Sequence, residues 1–353
     1  MIPYFFVFFS LIFLSFCEYL NLFKKRIIPI CISFTIIALF SGLRGDVGQD
    51  TANYLNIFNN INIFKDDIET GFYIFNIFFK YIYSNFDVFL LFCAVFSLFF
   101  YFYAIYKFLG IGLIIAAFII IYSDIYLYFN LSGLRQGIAL SIIMLSGYYA
   151  MKGHIYKFIL SVIFAALFHK TALIAFIFWP LLNFNLERYL NIYSTIFIIL
   201  ISVLWILISK QFIEMLAHAL NIRGANMYLS ESYNKFSIEA YIVGIIRRSY
   251  PIVFVFILTK FNFKNDFFIK KLFFIYIFGF ILYLINYPLL QDITVRLSSY
   301  FIIFESVLVV YILINTKYMV NKIFYVTILF IILSYKLFSY ASLPKYQYII
   351  NFI

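Results

Sequence analysis

Residues 130–171 read NLSGLRQGIALSIIMLSGYYAMKGHIYKFILSVIFAALFHKT. Two apolar runs are joined here by a basic, glycine-containing turn, MKGHIYK (151–157). Arg135 and Gln136 stand at the start of the first run, and His169 and Lys170 end the second. Runs of this kind suit a bilayer core about 30 Å thick. A polar group set among them costs free energy unless it is used. The stretch reads as membrane-embedded helix, and its polar residues are the first place to look for function.

The same character extends outward from it in both directions. Of 353 residues, 65% are apolar and only 12% charged, against about 25% charged in soluble domains. The expected fold is an all-α polytopic integral membrane protein of about 10–12 spans, in a single integral domain, 1–353. Spans are expected near 2–20, 27–43, 86–106, 110–128, 135–150, 155–168 with 171–182, 189–209, 239–259, 272–290, 296–315 and 322–341. Two longer insertions separate them, 44–85 and 210–238, and Gly71 to Ser84 has the spacing of an interfacial helix.

Several function classes are disfavoured at once. The net charge of +11 falls on no soluble module, so nucleic acid is not an expected partner. Cys17, Cys31 and Cys93 lie inside apolar runs and read as small buried hydrophobes, with no metal or disulfide spacing. His154 and His218 have no second ligand nearby, and HExxH, CxxC, Walker and GxSxG patterns are missing. No metal and no cofactor are expected. The first run lacks a basic leading region and a small-residue cleavage site, so it is expected to be retained as a span.

Lys and Arg collect on the cytoplasmic side of membrane proteins. Lys24, Lys25 and Arg26, then Lys152 with Lys157, then Lys260, Lys264, Lys270 and Lys271, then Lys317 with Lys322 mark that side. The insertions carry acids instead: Asp46, Asp50, Asp66, Asp67 and Glu69 in the first, and Glu214, Glu231 and Glu239 in or beside the second. Both insertions and the N-terminus are therefore expected outside. This parity asks residues 155–182 to go up and come back as a short hairpin. Fourteen helical residues reach about 21 Å, which would put His169 and Lys170 at the outer tip; one long tilted helix is the alternative.

On this map Arg44, Arg135, Arg247, Arg248 and Arg296 converge on the outer leaflet as a cationic cavity. Guanidinium groups bind phosphate bidentately and stay charged when partly desolvated, so a lipid-linked phosphate or pyrophosphate suits them. Arg44, Arg135 and Arg296 could equally snorkel to headgroups, and His169 could be a hydrogen-bonded core histidine. Arg247 and Arg248 lie too deep to snorkel easily, and Glu305 is expected as their counter-ion or as a neutral buried acid. Asp124 is expected to pair with Arg135. Tyr54, Tyr126, Tyr128, Tyr233 and Tyr300 suit sugar stacking or, better, an interfacial belt.

RGDVGQDTANY (44–54) resembles the R-x-x-VG-x-D-x-x-x-Y signature of EpsG-type, Wzy-like (O-antigen polymerase-like) polysaccharide polymerases. Residues 134–174 resemble that family's R-Q-x-x-A … F-H-x-[ST]-A-L segment, and YIVGIIRRSYP and VRLSSYF stand where it carries later arginines. The resemblance implies growth of surface polysaccharide (O-antigen, capsule or exopolysaccharide) outside the bacterial cytoplasmic membrane, from polyprenyl-pyrophosphate-linked oligosaccharide. It puts Arg44, Asp50, Tyr54, Arg135, Gln136, His169, Arg247, Arg248 and Arg296 at signature positions, with Gln49 and Lys170 departing from the usual residues. Combined with the charge map, Arg135, with Arg247, Arg248 or Arg296, is expected to stabilise the departing pyrophosphate. His169, or Asp50 as second choice, is expected to accept the acceptor proton. Arg44, Tyr54, Gln136, Lys170, Arg247, Arg248 and Arg296 make up the expected substrate-binding set. Membrane lipids, a chain-length regulator and a flippase are the expected partners. A lipid-linked-sugar transporter, a glycan ligase and an acyltransferase are the rivals: the first needs inverted halves, which the chain does not show, and the ligase differs only in its acceptor. An acyltransferase would usually show an active-site histidine or His/Asp pair without this set of arginines.

Overall fold

The computed structural model describes residues 1–184, Gln211, Met215, 236–259 and 266–350. The span expected at 189–209, nearly all of the insertion at 210–238, and Glu214, His218, Glu231, Tyr233, Lys260 and Lys264 lie outside the described residues.

The described chain is helical throughout, as its apolar runs require: backbone groups in hydrocarbon must be satisfied within the segment. In order run α1 (Ile2–Tyr19), α2 (Ile27–Gly42), α3 (Thr51–Asn59), α4 (Thr70–Ile82), α5 (Phe86–Leu109) and α6 (Ile114–Ile121). A π-helix (Tyr122–Asn130) continues α6. Then come α7 (Leu134–Met151), α8 (Ile155–Ala166), a 3-10 segment (Lys170–Ile177) and α9 (Phe178–Asn183). Next are α10 (Ile238–Thr259), α11 (Phe267–Asn286), α12 (Gln291–Ile302), α13 (Glu305–Asn315) and α14 (Met319–Ala341). Six stretches among the described residues are long and apolar enough to cross a membrane: Ile2–Tyr19, Phe86–Leu109, Ile238–Leu258, Phe267–Asn286, Gln291–Asn315 and Met319–Ala341. Ile27–Gly42, Ile114–Asn130, Ile155–Ala166 and Lys170–Asn183 are apolar but shorter. The protein is a multi-pass, all-α membrane protein.

The chain forms two compact units, residues 1–176 with 303–353, and residues 177–302. In the first, α5 packs on α7, α7 on α8, and α2 on both α1 and α5. In the second, α11 packs against α12, α9 and α10. Two helix starts, those of α5 and α11, carry side-chain caps. Asn85 Oδ1 accepts from the Asp87 and Val88 amides (2.8 and 3.2 Å), and Asp266 Oδ1 accepts from Phe268 and Ile269 (3.1 and 3.0 Å). Buried Glu18 of α1 caps α6 from outside, accepting from the Gly112, Ile114 and Ile115 amides at 3.0, 3.0 and 2.9 Å.

Residues 155–176 fold back on themselves. The ring of Phe158 at the start of α8 meets that of Phe176 at 6.0 Å, whereas eighteen residues of continuous helix would hold them about 27 Å apart. The long tilted helix is excluded and the hairpin holds, with the break at Leu167–His169. Two smaller expectations change. Cys31 is exposed on α2 while Cys17 and Cys93 are buried. Tyr54, Tyr126 and Tyr300 are buried and so belong to no headgroup belt; Tyr126 Oη instead pairs with Ser41 Oγ at 2.8 Å.

Candidate functional site

The two family-like segments, 44–54 and 134–174, meet in the first unit, and the residues just before Leu134 join them. Gly48 has φ +101°, and a Cβ there would collide with the Leu131 carbonyl, so only glycine allows the approach. The Gln49 amide donates to Ser132 Oγ (3.0 Å), and Thr51 Oγ1 donates to the Val47 carbonyl (2.5 Å). This loop delivers Asp50 to the N-cap position of α3 and Tyr54 into its buried face. The Arg135 amide donates to Tyr54 Oη at 3.5 Å. Burial raises the Tyr54 phenol above its ordinary pKa, opposed by the nearby Arg135 charge, so Tyr54 stays neutral.

The Arg135 guanidinium has a partner the sequence reading assigned only to the acid-rich insertion. Arg135 Nη1 donates to Glu69 Oε2 at 2.6 Å, and Glu69 Oε1 accepts from the Lys170 amide at 3.3 Å. One carboxylate thus ties the start of α7 to the hairpin tip. The backbones are held too: the Gly71 amide donates to the Leu167 carbonyl at 2.8 Å, where a Cβ on Gly71 would sit equally close. At the tip, His169 is half-buried and its Nδ1 lies 2.6 Å from Thr171 Oγ1, while Lys170 is exposed. Arg135, Tyr54, His169 and Lys170 are therefore brought into one neighbourhood, with Gln136 buried beside them in α7. Glu69 and Thr171 were not singled out. The sequence signal for Thr171 was its place in the [ST] position of the F-H-x-[ST]-A-L pattern.

Arg44 lies in a different setting. It is 1% exposed and does not snorkel. Its Nη1 donates to the Ser41 carbonyl, and its Nε and Nη2 have no hydrogen-bond partner among the described residues. The C-terminal segment covers it: Arg44 bridges Ile350 in antiparallel fashion, Gly45 donates to the Ile349 carbonyl and Gly48 to the Lys345 carbonyl, both at 2.8 Å. Tyr348 Oη donates to the Phe40 carbonyl (2.6 Å) and stacks on the Phe40 ring at 4.6 Å. Burial pushes the Tyr348 and Tyr346 phenols up to about 12. Burial also lowers the Arg44 pKa, against nearby tyrosines that raise it; an arginine keeps its charge regardless.

The expected partners of two acids are corrected. Asp124 meets Lys336 Nζ at 2.9 Å and accepts from Tyr340 Oη at 2.9 Å, while the carboxylate on Arg135 is that of Glu69. Glu305 meets the same Lys336 at 3.1 Å. Lys336 is completely buried. The π-helix carries Asp124, whose wider turn aims side chains off the α-helical register.

In the second unit, Arg247 and Arg248 are half-buried in α10. The Arg248 guanidinium lies 4.1 Å over the Tyr283 ring and donates to the Gly244 carbonyl at 3.1 Å, and its own carbonyl accepts from Tyr276 Oη. Arg296 Nε pairs with Asp292, one turn away on α12, at 2.7 Å. Among the described residues no group of three His, Cys, Asp or Glu could hold a metal.

These features define a polytopic helical membrane protein with partly accessible arginines, Arg135 at the start of α7 and Arg247, Arg248 and Arg296 within α10 and α12. The chain belongs to the EpsG family, whose model matches residues 27–352. Membership carries a polymerase-like role in polysaccharide biosynthesis. No curated protein and no solved structure matches the chain.

Proposed function

We propose that this protein polymerises lipid-linked oligosaccharide repeat units into surface polysaccharide at the outer face of the bacterial cytoplasmic membrane. The donor is the growing glycan on its polyprenyl pyrophosphate, and the acceptor is a hydroxyl of another lipid-linked repeat. The observation that carries the reading is the neighbourhood of Arg135 and His169, two family-signature residues 34 positions apart, joined through Glu69. In the transfer, the acceptor oxygen bonds to the anomeric carbon as the bond from that carbon to the pyrophosphate oxygen breaks. Arg135 stabilises the charge that builds on the departing pyrophosphate. His169, its ring held by Thr171, takes the acceptor proton, with Asp50 as the second candidate. Guanidinium charge does the neutralising, so the reaction needs no metal. Arg247, Arg248 and Arg296 are assigned to phosphate by their place in the family pattern.

The test is the length distribution of surface glycan in cells lacking the gene, complemented at matched membrane levels. Wild type should restore a ladder, whereas the null and Arg135→Ala strains should keep single-repeat glycan. A normal ladder in the null strain would sink the reading and bring a flippase or acyltransferase forward. Single repeats missing altogether from the lipid-linked outer pool would point to the flippase.

A further inference from the structure

Glu69 holds an unusual position for a helix-capping acid. It is the N-cap residue of α4, where a carboxylate ordinarily accepts from its own helix's first amides, yet its side chain makes no such bond. It reaches instead to the Arg135 guanidinium at 2.6 Å and the Lys170 amide at 3.3 Å. A guanidinium and a backbone amide are the donors that recognise a phosphate oxygen pair. The carboxylate fills that place with two oxygens and a negative charge of its own. The pair is not sealed: the side chains of Arg135 and Glu69 are 25% and 11% exposed. A ligand anion can reach the guanidinium from that open side and replace the carboxylate charge for charge.

The surroundings also let the carboxylate leave without moving the backbone. Gly71 is bonded to Leu167 across a gap that admits no Cβ, so the two chain segments keep their spacing. A released Glu69 side chain stays beside the positive dipole end of its own helix, although the Gly71 amide there is taken by the Leu167 carbonyl and the Tyr73 amide by the carbonyl of Glu69 itself.

We infer that Glu69 is a resident anion: it occupies the phosphate position on Arg135 and the Lys170 amide in the resting protein, and a phosphate oxygen of the lipid-linked pyrophosphate displaces it. The inference rests on the proposed reading that Arg135 binds pyrophosphate. Glu69 then acts as a positioning residue. It keeps the guanidinium aimed before substrate arrives and competes with headgroup phosphates for it.

The experiment is titration calorimetry of inorganic pyrophosphate against the full chain in phosphatidylcholine nanodiscs, with the variants checked for wild-type elution. Glu69→Gln keeps the shape and removes the competing charge, so it should bind pyrophosphate about ten-fold tighter, within the range of measured couplings. Glu69→Asp, one methylene shorter, should fall between and serves as the deciding variant if Glu69→Gln does not fold. Arg135→Ala should lose binding. Wild-type affinity in Arg135→Ala would overturn the reading beneath the inference. Lost binding in Arg135→Ala with unchanged or weaker binding in Glu69→Gln and Glu69→Asp would overturn the inference alone. Adding phosphatidylglycerol to the nanodisc should leave wild-type affinity nearly unchanged; a proportional loss would assign the exchange to a lipid headgroup and overturn the pyrophosphate assignment.

Discussion

The cluster at Arg135 and the cluster at Lys336 use the same parts, one long cation and acidic oxygens at 2.6 to 3.1 Å, and differ in access to water. Arg135 keeps a quarter of its side chain exposed, whereas Lys336 is fully buried and shared between Asp124 and Glu305; Glu69 and Asp124 are alike, at 11% and 13%, so it is the cations that differ. A buried ion that loses its partner strands a charge in hydrocarbon, so the Lys336 cluster holds one arrangement. A cation that is still reachable can trade its carboxylate for the anionic oxygens of a ligand and stay compensated. Access, more than residue type, separates an ion pair that builds the fold from one available to chemistry. Arg44 sharpens the point: it shares a signature with Tyr54 yet sits under the C-terminal segment.

The largest expected effect tests the cluster around buried Lys336. Lys336→Met leaves Asp124 and Glu305 facing each other and should cost about 3–5 kcal/mol, read as loss of folded protein from the membrane. Adding Asp124→Asn and Glu305→Gln should recover most of it. Failure of that rescue would mean that Lys336 is doing something other than balancing charge. Next is Arg135→Ala, expected to lower polymerisation by about 10²–10³-fold without changing protein level. Arg135→Lys should recover little, because an ammonium cannot engage two oxygens in one plane. Comparable losses of fold and function in both clusters would dissolve the distinction between them.

Smaller effects probe the supports. Gly48→Ala forces a side chain into a positive-φ position against the Leu131 carbonyl and should cost about 1–3 kcal/mol, seen as a lowered melting temperature in detergent. Thr171→Ala should slow polymerisation by about ten-fold with stability unchanged, the lower end of what partners of functional histidines supply at metal sites. An equal loss in Thr171→Ser would show that packing, and not the hydroxyl, matters at this position. The smallest effect is that of salt. Raising ionic strength should weaken the Arg135–Glu69 pair and leave the melting of the Lys336 cluster unmoved.

Much of this was legible in the chain before folding. The spans at 86–106 and 322–341 became Phe86–Leu109 and Met319–Ala341, because an apolar run of bilayer length has few alternatives. The break near His169 was legible from charge parity alone. The partners of the acids were not. Asp124 was paired with the nearest arginine in sequence, 11 residues on, but found Lys336, 212 residues on. Lys336 itself stands in an apolar run and announces no role. Glu69 looked like one more charge in an acidic insertion, because nothing in its local sequence says that its carboxylate turns away from α4.

Hydrophobicity along the chain determined by itself that this is a multi-pass helical membrane protein, since each helix satisfies its own backbone and needs no distant partner to be recognised. The family signature likewise lies in the order of residues and survives without any structure. Which cation meets which anion was decided by the tertiary structure alone. An ion pair depends on separations of a few ångströms between residues far apart in the chain, and helix packing sets those separations. The same packing decided that Arg44 is covered and Arg135 is not.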